Sequence, residues 1–179
     1  PETALTVAKK TTLDVNGKTI ENTKDVWDTA TNSWSLISAR GVDANLTITG
    51  NGEFLAKADD CYAVDVQDGA KVVIKNGTFK GNIHAVYVEQ GEAVIEGGFF
   101  SVQQKYPDAA KADEFVLNCY DANRANGTAK ITVKGGTFVN FNPADCQAEG
   151  AHTNFVADGY TVKSEAHGSD TWYTVVKAN

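Results

Sequence analysis

One short phrase recurs five times along this 179-residue chain, and it constrains the fold more than any other feature. It reads Val15-Asn16-Gly17-Lys18-Thr19-Ile20, Ile48-Thr49-Gly50-Asn51-Gly52-Glu53-Phe54, Ile74-Lys75-Asn76-Gly77-Thr78-Phe79, Ile95-Glu96-Gly97-Gly98-Phe99-Phe100 and Val133-Lys134-Gly135-Gly136-Thr137-Phe138. An apolar residue leads into a Gly-bearing turn, and a large apolar residue closes the phrase. The closing residues fall at 20, 54, 79, 100 and 138. A phrase repeated at intervals of a few tens of residues is the signature of a chain wound into successive coils.

Short stretches of period-two alternation, rich in β-branched residues, fill the space between the phrases. They include Leu5–Val7, Thr12–Val15, Leu46–Ile48, Ala63–Val66, Lys71–Ile74, Ala85–Val88, Ala93–Ile95 and Ala129–Val133. Gly and Asn turns separate them, as at Asp68-Gly69, Gln90-Gly91 and Asn126-Gly127. Two repeats align without gaps: Ala63-Val64-Asp65-Val66-Gln67-Asp68-Gly69 on Ala85-Val86-Tyr87-Val88-Glu89-Gln90-Gly91. Three short strands per repeat predict one rung of a parallel β-helix. A rung cannot bury its apolar face alone, and stacking the next one satisfies both backbone and core. The expectation is an all-β solenoid of about five rungs in one domain, residues 1–179. Rungs are expected over about 4–154 and a capping segment over about 155–179, where Gly159–Lys163 and Thr171–Val176 read as a terminal hairpin. Longer insertions are expected at 21–35, 101–114 and 139–156, with a helical turn after Pro107. Such loops are where a solenoid carries recognition surface.

Charge and composition exclude some roles. A net charge of −7 argues against a nucleic-acid partner, which needs clustered Lys and Arg. No run of about 18 apolar residues predicts a membrane-spanning helix. The chain has no Met and begins Pro1-Glu2-Thr3, which reads as a piece of a longer polypeptide. Cys61, Cys119 and Cys146 are odd in number and widely spaced. They predict neither a disulfide framework nor a metal knuckle, and Cys119 reads as a core residue.

With these residues in view, the chain resembles a right-handed parallel β-helix module of gut bacterial surface proteins and of phage head and tail fibres. The resemblance rests on Thr12–Lys18 and on the C-terminal block Ile131–Pro143, Thr153–Val162 and Trp172–Val176. It implies a structural and adhesive role at a virion surface, assembly as a homotrimer, a glycan ligand, and attachment to other virion or surface proteins through an upstream segment. Trp172 and Tyr173 are then expected at a subunit interface. The alternatives are a bacterial cell-surface or secreted adhesin and a carbohydrate-active enzyme fragment of the polysaccharide lyase or glycoside hydrolase kind.

The enzyme reading wants a pair of carboxylates. Asp59 and Asp60, with Asp65, Asp68 and His84, form the best local group, so Asp59, Asp60 and His84 are the candidate catalytic residues. A pectin-hydrolase-like pattern would add Gly-His-Gly and Arg-Ile-Lys. Here the histidine stands in Asn82-Ile83-His84-Ala85, and Arg40 and Arg124, the two arginines, lack an adjacent acidic triplet. The group therefore reads first as solvated surface. His84, His152 and His167 are too far apart for a local metal motif, and no metal or cofactor is expected. Carbohydrate binding has better candidates. Trp27, Trp34, Tyr87 and Tyr106 offer aromatic faces within polar sequence, on which a sugar can stack. The competing role for the tryptophans is to seal the first rung or a subunit contact.

Overall fold

The structure, a computed structural model, describes residues 1–22, 34–57, 60–104, 115–147 and 152–179. The chain winds through five three-stranded rungs. These are β1 (Leu5–Val7), β2 (Lys10–Leu13) and β3 (Thr19–Glu21); β4 (Ser35–Arg40), β5 (Asn45–Ile48) and β6 (Glu53–Leu55); β7 (Tyr62–Gln67), β8 (Ala70–Ile74) and β9 (Thr78–Gly81); β10 (Val86–Val88), β11 (Gly91–Ile95) and β12 (Phe99–Val102); β13 (Leu117–Cys119), β14 (Ala129–Val133) and β15 (Thr137–Val139). First strands stack into sheet I (β1-β4-β7-β10-β13), second strands into sheet II (β2-β5-β8-β11-β14) and third strands into sheet III (β3-β6-β9-β12-β15), all parallel. The expected parallel β-helix is thus present. Among the described residues, no helix is long and apolar enough to cross a membrane.

The repeated phrase maps onto the corner between sheets II and III. Its closing residues form one register column, Ile20–Phe54–Phe79–Phe100–Phe138. The four rings stack at centroid distances of 4.8, 5.1 and 5.0 Å. That spacing is the inter-strand distance itself, so each ring repeats the contact of the one before. Glycine at the turn is required where rungs approach. Gly98 has φ +112°, and a Cβ there would lie 3.0 Å from the Gly77 carbonyl oxygen. That oxygen accepts the Phe99 N–H at 2.8 Å, a bond that ties one turn to the next.

Four sequence expectations need correction. The last column of sheet II is Leu13–Ile48–Ile74–Ile95–Val133, so Leu13 opens the first rung's corner in place of Val15. The first turn is correspondingly longer, and β2 ends at Leu13. Ser101 and Val102 belong to β12, since the parallel ladder with β9 continues through Val102↔Gly81, so the second insertion starts later than residue 101. Part of the described segment beyond Val139 belongs to the core and not to surface display. Phe141, Cys146 and Phe155 are buried in the core, and Val156 bridges Val133 at the edge of sheet II. This stretch closes the C-terminal end of the coil, where an uncovered rung would expose its apolar interior. The rungs therefore end at Val139. Finally, a short helix, α1 (Asp121–Ala125), interrupts the fifth rung where no helix was expected. The helical turn foreseen after Pro107 lies outside the described residues.

The terminal hairpin is β16 (Tyr160–His167) and β17 (Asp170–Lys177). β17 pairs antiparallel with β15 and extends sheet III beyond the last rung. Cys61, Cys119 and Cys146 are free thiols, all buried.

Candidate functional site

Sheet I differs from the other two. Strands in sheets II and III alternate between buried inward and exposed or half-buried outward residues, as in β8 and β14. Strands β7 and β13 are buried at every residue, and β4 at all but Arg40. The inward columns, Ile37–Val64–Val86–Leu117 and Ala39–Val66–Val88–Cys119, are apolar as expected. The outward column between them is Thr6–Ser38–Asp65–Tyr87–Asn118, with a different side chain on every rung. Ser35, Ser38, Asp65, Gln67, His84 and Asn118, all on sheet I or at its start, are among the buried polar residues.

Asp65 is the centre of this face. It is 0% exposed, although its place on the outer face had suggested solvated surface. Gln67 Nε2 donates to Asp65 Oδ2 at 2.6 Å, Ser38 Oγ donates to the same oxygen at 3.4 Å, and Arg40 Nε donates to Ser38 Oγ at 2.9 Å. Oδ1 has no hydrogen-bond partner. Burial pushes the Asp65 carboxyl up to about 7, aided by the Glu89 charge and opposed by Gln67, Arg40 and Ser38.

Three rings gather beside it. Tyr62 and His84 hold equivalent places, two residues before Val64 and Val86, and Tyr87 stands next to Asp65 in register. Ring centroids are 4.8 Å apart for Tyr62–Tyr87, 5.3 Å for Tyr62–His84 and 5.5 Å for His84–Tyr87. His84 Nδ1 lies 2.6 Å from the Phe115 carbonyl oxygen, which can only accept, so Nδ1 carries the proton. Burial lowers the His84 pKa to about 4, against the carbonyl contact and the Asp60 charge, which both favour protonation. The ring is a neutral, packed member of the cluster.

Over this cluster opens a concave site of about 210 Å³ lined by Trp34, Tyr62, Gln67, Tyr87, Glu89 and Tyr120. The volume is below the range of drug-sized pockets and suits one sugar residue or head group. Gln67, Glu89 and Tyr120 each follow directly a residue of the Val66–Val88–Cys119 column, so three successive rungs deliver one polar or aromatic side chain apiece to one rim. Asn123 Nδ2 of α1 donates to the Glu89 carbonyl oxygen at 2.6 Å and fixes that corner.

The sequence candidates divide accordingly. Trp34 and Tyr87 meet in the groove, whereas Trp27 and Tyr106 lie outside the described residues. Asp60 and His84 are close enough for the Asp60 charge to act on the imidazole. Asp60 is tied into an amide network: its N–H donates to Asn82 Oδ1 at 2.8 Å, and its Oδ1 accepts from Gln104 Nε2 at 2.7 Å. His84 is 6% exposed, so its expected solvation is overturned with that of Asp65. Asp59 lies outside the described residues. Trp172 packs edge-on against Phe99 at 4.9 Å and stacks on His167 at 3.7 Å, on the hairpin. Tyr173, opposite Phe138, packs against the chain's own core. Among the described residues, no three His, Cys, Asp or Glu side chains gather as a metal site.

Sequence reasoning missed Tyr62, Gln67, Glu89 and Tyr120. The gapless alignment that pairs Asp65 with Tyr87 also pairs Tyr62 with His84 and Gln67 with Glu89, so a signal for three of them was present. Tyr120 follows the second insertion and had none. A second concavity, about 280 Å³, lies near α1 between Arg124, Lys130 and Phe155, and its arginine is engaged by Asp121. Comparison with protein-family models, curated proteins and solved structures gives no match in any of the three.

Proposed function

We propose that this chain is a structural and adhesive β-helix module that binds a glycan in the groove of sheet I. The observation that carries the reading is the convergence of Trp34, Tyr62, Tyr87 and Tyr120 with Gln67 and Glu89 around one concavity. Sugars present apolar ring faces and a fringe of hydroxyls. Aromatic faces take the former, and an amide and a carboxylate take the latter. The five-rung stack supplies a stiff support, which holds these side chains at fixed strand spacing. A phage fibre or similar virion surface protein, assembled as a homotrimer, is the setting this reading favours. It is supported by the rod-like repeat and by the sequence resemblance.

The enzyme alternative draws on the raised Asp65 carboxyl near Glu89, which has the electrostatic character of an acid beside a carboxylate. Asp65 is wholly buried, however, and does not reach a glycosidic oxygen from that position. Binding is therefore the better-supported role for the pair.

A glycan array followed by calorimetric titration tests the proposal. Binding that is weakened several-fold or lost in both Tyr87→Ala and Tyr120→Ala supports it. Retention of full binding in both variants, or no binding by the folded parent chain, overturns it. Light scattering at low and high concentration tests the assembly: a stable trimer is expected, and a monomer at both would remove the fibre setting while leaving the groove.

A further inference from the structure

We infer that the groove prefers a sugar residue carrying a positively charged amino group, as in a de-N-acetylated hexosamine, over a neutral or acidic one. This rests on the glycan reading above and specifies its ligand. Of the six lining side chains, Glu89 alone carries a formal charge, and it is negative. The other walls are the Gln67 amide and three tyrosines and a tryptophan, whose ring faces attract cations as well as sugar faces. Behind them, Asp65 presents a second carboxyl with one oxygen unpartnered. The nearby cation, Arg40, lies in register with Gln67 but turns its Nε to Ser38, and it is not part of the lining. An ammonium group in the groove meets aromatic faces and the Glu89 carboxylate, while the buried Asp65 carboxyl acts on it only through its charge. A uronic or sialic acid meets Glu89 with no lysine or arginine among the described residues of the wall to offset it, in a site where apolar walls strengthen the repulsion.

The arrangement also links binding to protons. The charged groups around Asp65 are Arg40 on β4 and Glu89 after β10, with Ser38, Gln67 and Tyr87 as its polar neighbours. Below its pKa of about 7 the carboxyl is neutral, and above it the carboxyl is negative. A permanently charged ligand should therefore bind more tightly as pH rises through neutrality, and its entry should release a proton.

The test is calorimetry on the whole chain with oligomers of glucosamine, N-acetylglucosamine and galacturonic acid of equal length, on the acid side of neutrality. The glucosamine oligomer is expected to bind about tenfold or more tightly than the N-acetylated one, and the galacturonate weakest. In Glu89→Gln the preference ratio should fall towards one. A second series uses N-trimethylglucosamine oligomers, whose charge does not titrate. Their affinity should rise about threefold to tenfold from mildly acidic to mildly basic pH in the parent and stay flat in Asp65→Asn. Equal or tighter binding of the N-acetylated or acidic oligomer overturns this inference and leaves the glycan reading intact. Absence of binding by any glycan in the array overturns both.

Discussion

Sheets II and III and sheet I are built from the same rungs, yet they treat their two faces differently. In sheets II and III the inner columns repeat one kind of residue, as in Phe54–Phe79–Phe100–Phe138, and the outer faces meet solvent. In sheet I the inner columns also repeat, but the outer column changes at every rung and is buried at Ser38, Asp65 and Asn118. A parallel stack rewards repetition, because each inward side chain meets its own counterpart one rung away. An outward column that is buried and yet does not repeat is not there for the stack's benefit. The burial of Asp65 with an unpartnered oxygen costs stability, and that cost marks the face as the candidate site.

Breaking the repeated column should give the largest effect. Phe79→Ala is expected to lower unfolding stability by about 3–5 kcal/mol in urea titration, because both neighbouring rings lose a stacking partner and a cavity remains. A loss as small as that of the half-buried Val73→Ala on the outer face of sheet II would show that the two faces do not differ as argued.

Next in size is the pH dependence of sheet I. Asp65 binds more protons folded than unfolded between its ordinary pKa of 3.8 and about 7, so its contribution to stability is full below that window and lost as pH rises through it. His84 binds fewer protons folded than unfolded between about 4 and 6.5, so its effect runs oppositely and stability is lost as pH falls. Over the shared window the two slopes nearly cancel. Asp65→Asn should expose the histidine slope, with stability rising by roughly 3 kcal/mol across the window. His84→Gln should do the reverse. Chemical denaturation at a series of pH values reads this directly, and parallel curves for parent and both variants would refute it.

Gly98→Ala should cost about 1–3 kcal/mol, from a left-handed backbone angle and contact with the Gly77 carbonyl oxygen. Thermal melting of this variant against a Gly127→Ala control, where a Cβ meets nothing within 4 Å, separates rung contact from backbone angle. The smallest structural effect belongs to Tyr120→Ala. The side chain is 46% exposed, so stability should change by about 0.5 kcal/mol or less while glycan affinity falls several-fold. Stability and affinity falling together would return Tyr120 to a packing role.

Much of the architecture was legible along the chain. The Gly-turn phrase located the corner between sheets II and III, and the gapless alignment of Ala63–Gly69 with Ala85–Gly91 set the register in which Val64 meets Val86 and Asp65 meets Tyr87. The groove was legible only in part. Trp34 and Tyr87 stood out as aromatics in polar sequence, but nothing local joined them to Glu89 and Tyr120, or showed that Asp65 is sealed. The segment after Val139 reads as display in the sequence because it lies beyond the last repeated phrase, as an insertion. Its buried Phe141, Cys146 and Phe155 find their partners only at the end of the stack.

The sequence by itself determined the winding, the stacked core and the hairpin at the end. Each of these depends on a pattern repeated within a few tens of residues, and a parallel stack turns sequence repetition directly into spatial contact. Only the tertiary structure decided which outward residues are buried, which carboxyl is held near neutrality, and which side chains share a groove. Those properties depend on which unlike side chains from three or four rungs converge on one outer face, and on the loss of water around them. No local pattern encodes either.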